Sequence, residues 1–301
     1  LTIPVGAIIV TTRAQRLKRP RTYGANGFYL APAWLLLLGV IFIPFILSIW
    51  TSTQDASLIR SDSNFVGLDN YIDVLTKPDF WEAILTTVVI SVLSLIIQLP
   101  LGFLIAVLVH NELKGTSVFR SALLLPMLLT PVAVGLMWRL MMNVDTGVIA
   151  GILRALGLAP IDWLGDKTFA VFSIVIVDSW QNIPFVMLLM LAGLQAMSQS
   201  PIEAARVDGA STIQIYRHVI LPLIAPVALV VVMIRVIESI KLFDIIYILT
   251  NGGPGTATQN LSLLDFRSGF TYMQTSTAAA LGVLIILVLS PIYFLWRKAN
   301  K

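Results

Sequence analysis

Ser200-Pro201-Ile202-Glu203-Ala204-Ala205-Arg206-Val207-Asp208-Gly209-Ala210-Ser211-Thr212-Ile213-Gln214 lies between two long apolar stretches and is too organised to be a simple connector. Ser200 can cap a helix whose first residue is Pro201, and Glu203 stands at the third position to complete a capping box. Gly209 suits the left-handed residue that stops such a helix. Ser211 and Gln214 repeat the capping pattern and start a second helix leading toward Leu221-Pro222. The spacing therefore predicts a short helix, a glycine bend and a second helix. Ala204 and Ala205 are small enough to let another protein approach the backbone, with charge from Glu203 and Asp208 on either side. An amphipathic interfacial helix and a partner-docking knob both fit these residues.

The flanking stretches set the class. Of 301 residues, 57% are hydrophobic and 12% charged, about half the charged fraction of a typical soluble domain. A spanning helix needs about 20 mostly apolar residues. Six stretches qualify, roughly 28–52, 83–109, 119–142, 169–196, 221–249 and 276–296. The expected fold class is an all-α membrane protein of six transmembrane helices. Residues 1–27 form a basic tail in front of a single six-span domain, 28–301, with the organised loop at about 197–222. Prolines inside the spans, among them Pro100, Pro126, Pro131, Pro184 and Pro226, predict bends that neighbouring helices can support.

The distribution of charge gives the orientation. With the N-terminus inside, twelve Lys and Arg fall on the inner side (five of them from Arg13 to Arg21) and five on the outer. Basic residues resist translocation, so both termini are expected in the cytoplasm. The net charge of +4 is then a topology signal that can also touch anionic lipid, and nucleic-acid binding has no supporting signature. There are no cysteines and only two histidines, His110 and His218, which removes thiol chemistry and makes a multi-histidine metal centre untenable.

Ionisable groups inside spans cost about 2.5–3.5 kcal/mol each on insertion scales and need a reason. Span five carries Arg235, Glu238, Lys241 and Asp244, three residues apart, a plus-minus-plus-minus ladder that could neutralise itself along one helix face. Span four holds Asp178, Trp180, Gln181 and Asn182 just before Pro184, and similar depth predicts a pairing of Asp178 with Arg235. The functional alternative is a hydrophilic lining for a translocation path, and Trp180, Gln181, Asn182, Ser239, Phe243 and Tyr247 offer it hydrogen-bonding groups and aromatic faces. Trp138 and Arg139 read as anchors near the outer interface. Arg235 and Lys241 could read an acidic solute, although Glu238 and Asp244 can absorb both charges.

Glu203-Ala204-Ala205, then Gly209, then Val219-Ile220-Leu221-Pro222 resembles the EAA loop of binding-protein-dependent ABC importer permeases, with Val219 in place of Ile. Phe65-Val66-Gly67-Leu68-Asp69-Asn70-Tyr71 and the segment from Phe243 through Asn251-Gly252-Gly253-Pro254 are similar to motifs of the carbohydrate branch, the maltose- and glycerol-3-phosphate-type permeases. The resemblance covers nearly all of residues 28–297. It implies a type I importer permease in the bacterial inner membrane, moving a sugar or oligosaccharide, neutral or acidic. The implied partners are a second homologous permease, two ATPase subunits and an external solute-binding protein. Glu203, Ala204, Ala205, Asp208 and Gly209 would then form the coupling helix, and the polar residues of spans four and five would contact solute.

Consistent with that, no G-x-x-x-x-G-K-[ST] phosphate loop is present, so ATP and Mg would be held by the partner ATPases and no cofactor by this chain. Neither H-E-x-x-H nor G-x-S-x-G occurs, which argues against an intramembrane enzyme. The remaining alternative is an ion-coupled transporter or channel using the charged ladder of span five.

Overall fold

A long apolar run in a bilayer must satisfy its own backbone N–H and C=O groups, and the α-helix does so within a single segment. The computed structural model describes residues 26–60, 62–110 and 116–299, and among them holds fourteen α-helices and one isolated β-bridge, between Gln54 and Phe65. The basic tail expected over residues 1–27 falls almost wholly outside the described residues.

In chain order the helices are α1 (Asn26–Leu37), α2 (Ile43–Ser52), α3 (Asp69–Thr76), α4 (Pro78–His110), α5 (Thr116–Leu128), α6 (Pro131–Met141) and α7 (Val148–Ala155). They continue with α8 (Lys167–Ala196), α9 (Ser200–Val207), α10 (Thr212–Ile215), α11 (Leu221–Ile240), α12 (Asp244–Leu249), α13 (Leu261–Phe266) and α14 (Thr275–Ala299). Short π-helical turns join α1 to α2, α10 to α11, and extend α13. The chain divides between Leu47 and Ser48 into two units, the first being the apolar helix through α1 and the start of α2.

Among the described residues, four helical stretches are long and apolar enough to cross a membrane: Leu30–Ser52, Pro78–His110, Lys167–Ala196 and Thr212–Ile240. A fifth follows if the bent pair Ser121–Leu128 and Pro131–Met141 is one span. Two expected spans are thus corrected in form. The stretch 119–142 is bent by 98° where α5 meets α6, because Pro131 opens α6 and Thr130 before it is extended (φ −66°, ψ 139°). The stretch 221–249 is interrupted at Lys241–Phe243, between α11 and α12. By contrast α8 runs uninterrupted through Pro184.

The centre of the second unit is the packing of α4 against α8. Gly102 permits it: a Cβ there would stand 2.6 Å from Val186 Cγ1 and 3.1 Å from the Met187 amide. One apolar core, with Ala106, Val109, Met187, Met190, Leu194, Ile215 and Ile224, lies where α4 and α8 meet α10 and the start of α11. A second, with Ile90, Val134, Ile174, Val177, Ile245, Ile246 and Leu249, joins α4, α6, α8 and α12. The segment Phe65–Tyr71 is a fastening. Gly67 adopts φ +64°, Asn70 Nδ2 donates to the carbonyls of Ser52 and Gln54 at 2.8 Å, and Ser52 Oγ lies 2.6 Å from the Tyr71 hydroxyl.

Candidate functional site

The two broken helices face one another across a polar cavity of about 290 Å³. Leu129 and Pro131 line it from the α5–α6 bend, Leu242, Phe243 and Asp244 from the α11–α12 break, and Asp178, Gln181 and Asn182 from α8. Breaking a helix frees carbonyls that must find new donors. Gln181 Nε2 donates to the Leu129 carbonyl at 2.9 Å. Ser262 Oγ donates to Ile240 O at 2.7 Å, and Asn260 Nδ2 donates to Leu242 O. Arg139, read from sequence as an interface anchor, donates from Nη1 to Ile248 O at 3.0 Å near the end of α12. Side chains distant in sequence therefore hold both irregular segments in place.

Against the cavity sits a buried ionic cluster. Arg235 Nη2 lies 3.0 Å from both carboxylate oxygens of Asp178, and the two side chains are only 4% and 2% exposed. Gln98, on α4, closes the arrangement: it donates from Nε2 to Asp178 at 2.7 Å and accepts from Arg235 Nε at 2.8 Å. Asn182 Nδ2 adds a donor to Asp178 Oδ1 at 2.9 Å. Asp178 is about 16 Å from the start of an α8 about 45 Å long, well inside the span. A charge there is tolerable because it is paired and hydrogen-bonded. The expected pairing of Asp178 with Arg235 is present.

The expected ladder along span five is not. With Arg235 turned to Asp178 and the helix broken after Ile240, only Lys241 and Glu238 remain neighbours, at 2.9 Å, with their side chains 57% and 50% exposed. Asp244 opens α12, is exposed, and its carboxylate has no hydrogen-bond or ion-pair partner among the described residues. A continuous relay through alternating charges therefore has no structural basis here.

Of the residues expected on a solute path, Asp178, Gln181, Asn182, Arg235, Glu238, Lys241, Phe243 and Asp244 line the cavity. Three do not. Trp180 faces a separate apolar recess with Leu123, Pro126 and Ile183, and meets Trp138 edge-to-face at 5.8 Å. Ser239 is buried, its hydroxyl without a partner among the described residues. Tyr247 stacks on Phe243 at 5.2 Å, with Phe266 against both rings. The reading along the chain missed Gln98, although a lone amide in an otherwise apolar span was a usable signal.

The loop quoted at the outset folds as α9, a left-handed Gly209 (φ +80°) and α10. The Ser211–Gln214 capping box is formed in both directions. The Ser200–Glu203 box is not: Gln199 is the N-cap, it makes no side-chain bond, and Pro201 falls one position later than expected. Ile202 is buried and Ala205 half-buried in the adjoining core, so of the two alanines only Ala204 faces outward. Glu203, Arg206 and Asp208 are exposed. Val207 and Ile213, not singled out from sequence, are 86% and 78% exposed. Two bare aliphatic side chains on a loop that also exposes Glu203, Arg206 and Asp208 have the makeup of a contact surface.

The connection between α12 and α14 carries a shifted acid. One carboxylate oxygen of Asp265 is buried without a partner among the described residues, and burial pushes its pKa from 3.8 up to about 6. The folded protein therefore holds more protons than the unfolded chain between those values. The associated stability is complete below 3.8 and lost as pH rises through 6. Asp265→Asn is expected to raise the thermal midpoint of the purified protein by a few degrees at pH 7.5 and to leave it unchanged near pH 4. An equal shift at both pH values would contradict this.

Comparison with known proteins places the chain. The family described as "Binding-protein-dependent transport system inner membrane component" matches residues 7–300. The probable ABC transporter permease protein y4oQ of Sinorhizobium fredii is 36% identical over 302 residues, covering 98% of this chain and 95% of its own. The trehalose/maltose transport system permease protein MalF of Thermococcus litoralis is 40% identical over 235 residues, 78% of this chain and 80% of its own. A chain from the crystal structure of a bacterial alginate ABC transporter, solved with its alginate pentasaccharide-bound periplasmic protein, shares the fold. Its TM-score is 0.81 at 21% identity, covering 92% of this chain and 93% of that one.

Proposed function

The chain belongs to the inner membrane components of binding-protein-dependent transport systems, and from that premise we propose that the cavity between its two broken helices is the path of a sugar or oligosaccharide. It is a permease, a multi-pass transport component of the inner membrane, and ATP is bound by partner subunits. The observation that carries the solute reading is the cavity itself. It lies between discontinuous helices, carries convergent amide and carboxylate groups, and has an aromatic ring, Phe243, on its wall. The trehalose/maltose permease among the relatives supports the class of solute.

The proposal has three further parts. The chain crosses the membrane six times with both termini in the cytoplasm, α5 and α6 together making the third crossing and the 25-residue α14 the sixth. The charge asymmetry of the sequence supports that orientation. Its partners are a second, homologous but different permease, two ATPase subunits and a solute-binding protein. Glu203, Ala204, Asp208 and Gly209, with Val207 and Ile213, form the surface that seats in an ATPase subunit, while Ala205 holds that surface to the core. Purification of the native complex tests the assembly: a distinct permease and an ATPase should accompany this chain, and recovery of the chain as a lone stable species would overturn the proposal.

A further inference from the structure

The side-chain amides and the guanidinium at this cavity direct protons to partners within the chain, and the side-chain acceptors and charges left over bear on the kind of solute it can hold. Gln98 Nε2 donates to Asp178 at 2.7 Å and to Ser179 Oγ at 3.5 Å, Gln181 gives one amide proton to Leu129 O, and Asn182 donates to Asp178. Arg235 directs Nε to Gln98 and Nη2 to Asp178. Each amide orientation is dictated by its partner, because a carbonyl or carboxylate oxygen accepts only from the nitrogen end. Among the side-chain acceptors of the wall, Gln181 Oε1, Asn182 Oδ1 and the Asp244 carboxylate have no protein donor among the described residues.

Formal charge points the same way. Three carboxylates (Asp178, Glu238 and Asp244) line the cavity against two cations, Arg235 and Lys241. Arg235 is matched by Asp178 and Lys241 by Glu238, which leaves the negative charge of Asp244 unopposed. We infer that, on the reading of this cavity as the solute path, it is built for an uncharged polyhydroxylated solute and against an anionic one. Hydroxyl groups bring the protons that the bare acceptors lack. A carboxylate would meet acceptors and an uncompensated negative charge, and such a mismatch discriminates more strongly than a missing contact. Both cations are already paired within the chain, Arg235 with Asp178 and Lys241 with Glu238.

The test measures equilibrium binding to the purified full complex, without its solute-binding protein, from the quenching of intrinsic tryptophan fluorescence. The probes are maltotriose, trigalacturonate and the cationic trisaccharide chitotriose prepared as the free amine. Maltotriose is expected to bind at least about tenfold more tightly than trigalacturonate, the equivalent of about 1.4 kcal/mol. Asp244→Asn, at an exposed and unpartnered position, should narrow that ratio several-fold by improving the acidic probe. Equal or tighter binding of trigalacturonate, or a ratio unmoved by Asp244→Asn, would overturn the inference and leave the sugar path standing. Tighter binding of the amine probe would overturn it in favour of a cationic solute. Binding of none of the three would remove the sugar path itself and the inference with it.

Discussion

Asp178→Asn is expected to destabilise the protein by about 3–5 kcal/mol, the range for removing one partner of a buried ion pair. The substitution keeps the shape of the side chain and removes only its charge. Arg235 would then be a cation 4% exposed, facing amides alone. Much of the cost is the desolvated guanidinium left behind rather than the lost attraction. Pairing Asp178→Asn with Arg235→Gln should therefore recover a substantial part of the stability, because the second change removes the stranded charge. Thermal unfolding of the wild type, both single variants and the double variant gives the coupling between the sites directly. Additive losses would show that the two groups do not act as a pair. Gln98 has a defined part in this cycle as well. It bridges the two charged residues from α4, so Gln98→Leu should weaken the same cluster without changing its net charge.

The second large effect belongs to the loop between α8 and α11. Val207 is 86% exposed, so Val207→Asp costs the isolated chain little. At the centre of a contact it places a charge where the partner must be desolvated, and central interface residues carry about 2 kcal/mol or more, some thirtyfold in affinity. The expected result is a chain of unchanged thermal stability that no longer retains its ATPase subunits through purification. Glu203→Ala should weaken the same association, since Glu203 is exposed and its side chain makes no hydrogen bond among the described residues. Ile202→Asp should instead unfold the loop itself, because Ile202 is buried in the core under α9. A Val207→Asp variant that retains its ATPase at wild-type stoichiometry would place the docking surface elsewhere.

The two sites were unequally legible from the chain. The loop's helix-glycine-helix form follows from local rules, and the Gly209 turn and the Ser211–Gln214 box appear as expected. Local rules failed at the Ser200–Glu203 box because the helix begins one residue earlier than its proline suggests. Which alanine faces outward was not local information either, since it depends on how Ile202 anchors the helix. The cavity was harder. Periodicity extends a helix through Lys241 and Asp244, and nothing near those residues announces that Asn260 and Ser262 will take up the carbonyls of a broken turn. The bend at Leu129 was announced in part by Pro131, but its stabilising donor, Gln181, comes from another helix. The ladder of alternating charges was a sound reading of an unbroken helix. It failed because a buried carboxylate on α8 is a better partner for Arg235 than a neighbour on its own face.

The most direct test is ATP-driven uptake by the complex reconstituted in proteoliposomes, with its solute-binding protein, and with or without the ATPase subunits. Radiolabelled trehalose and maltose serve as the first solutes, given the 40% identity to a permease for those sugars. Accumulation is expected only with both ATP and the ATPase present, and Val207→Asp should abolish it while the chain stays folded. Accumulation of either sugar without any ATPase subunit would contradict a permease worked from outside the membrane through the loop at Glu203-Ala204-Ala205.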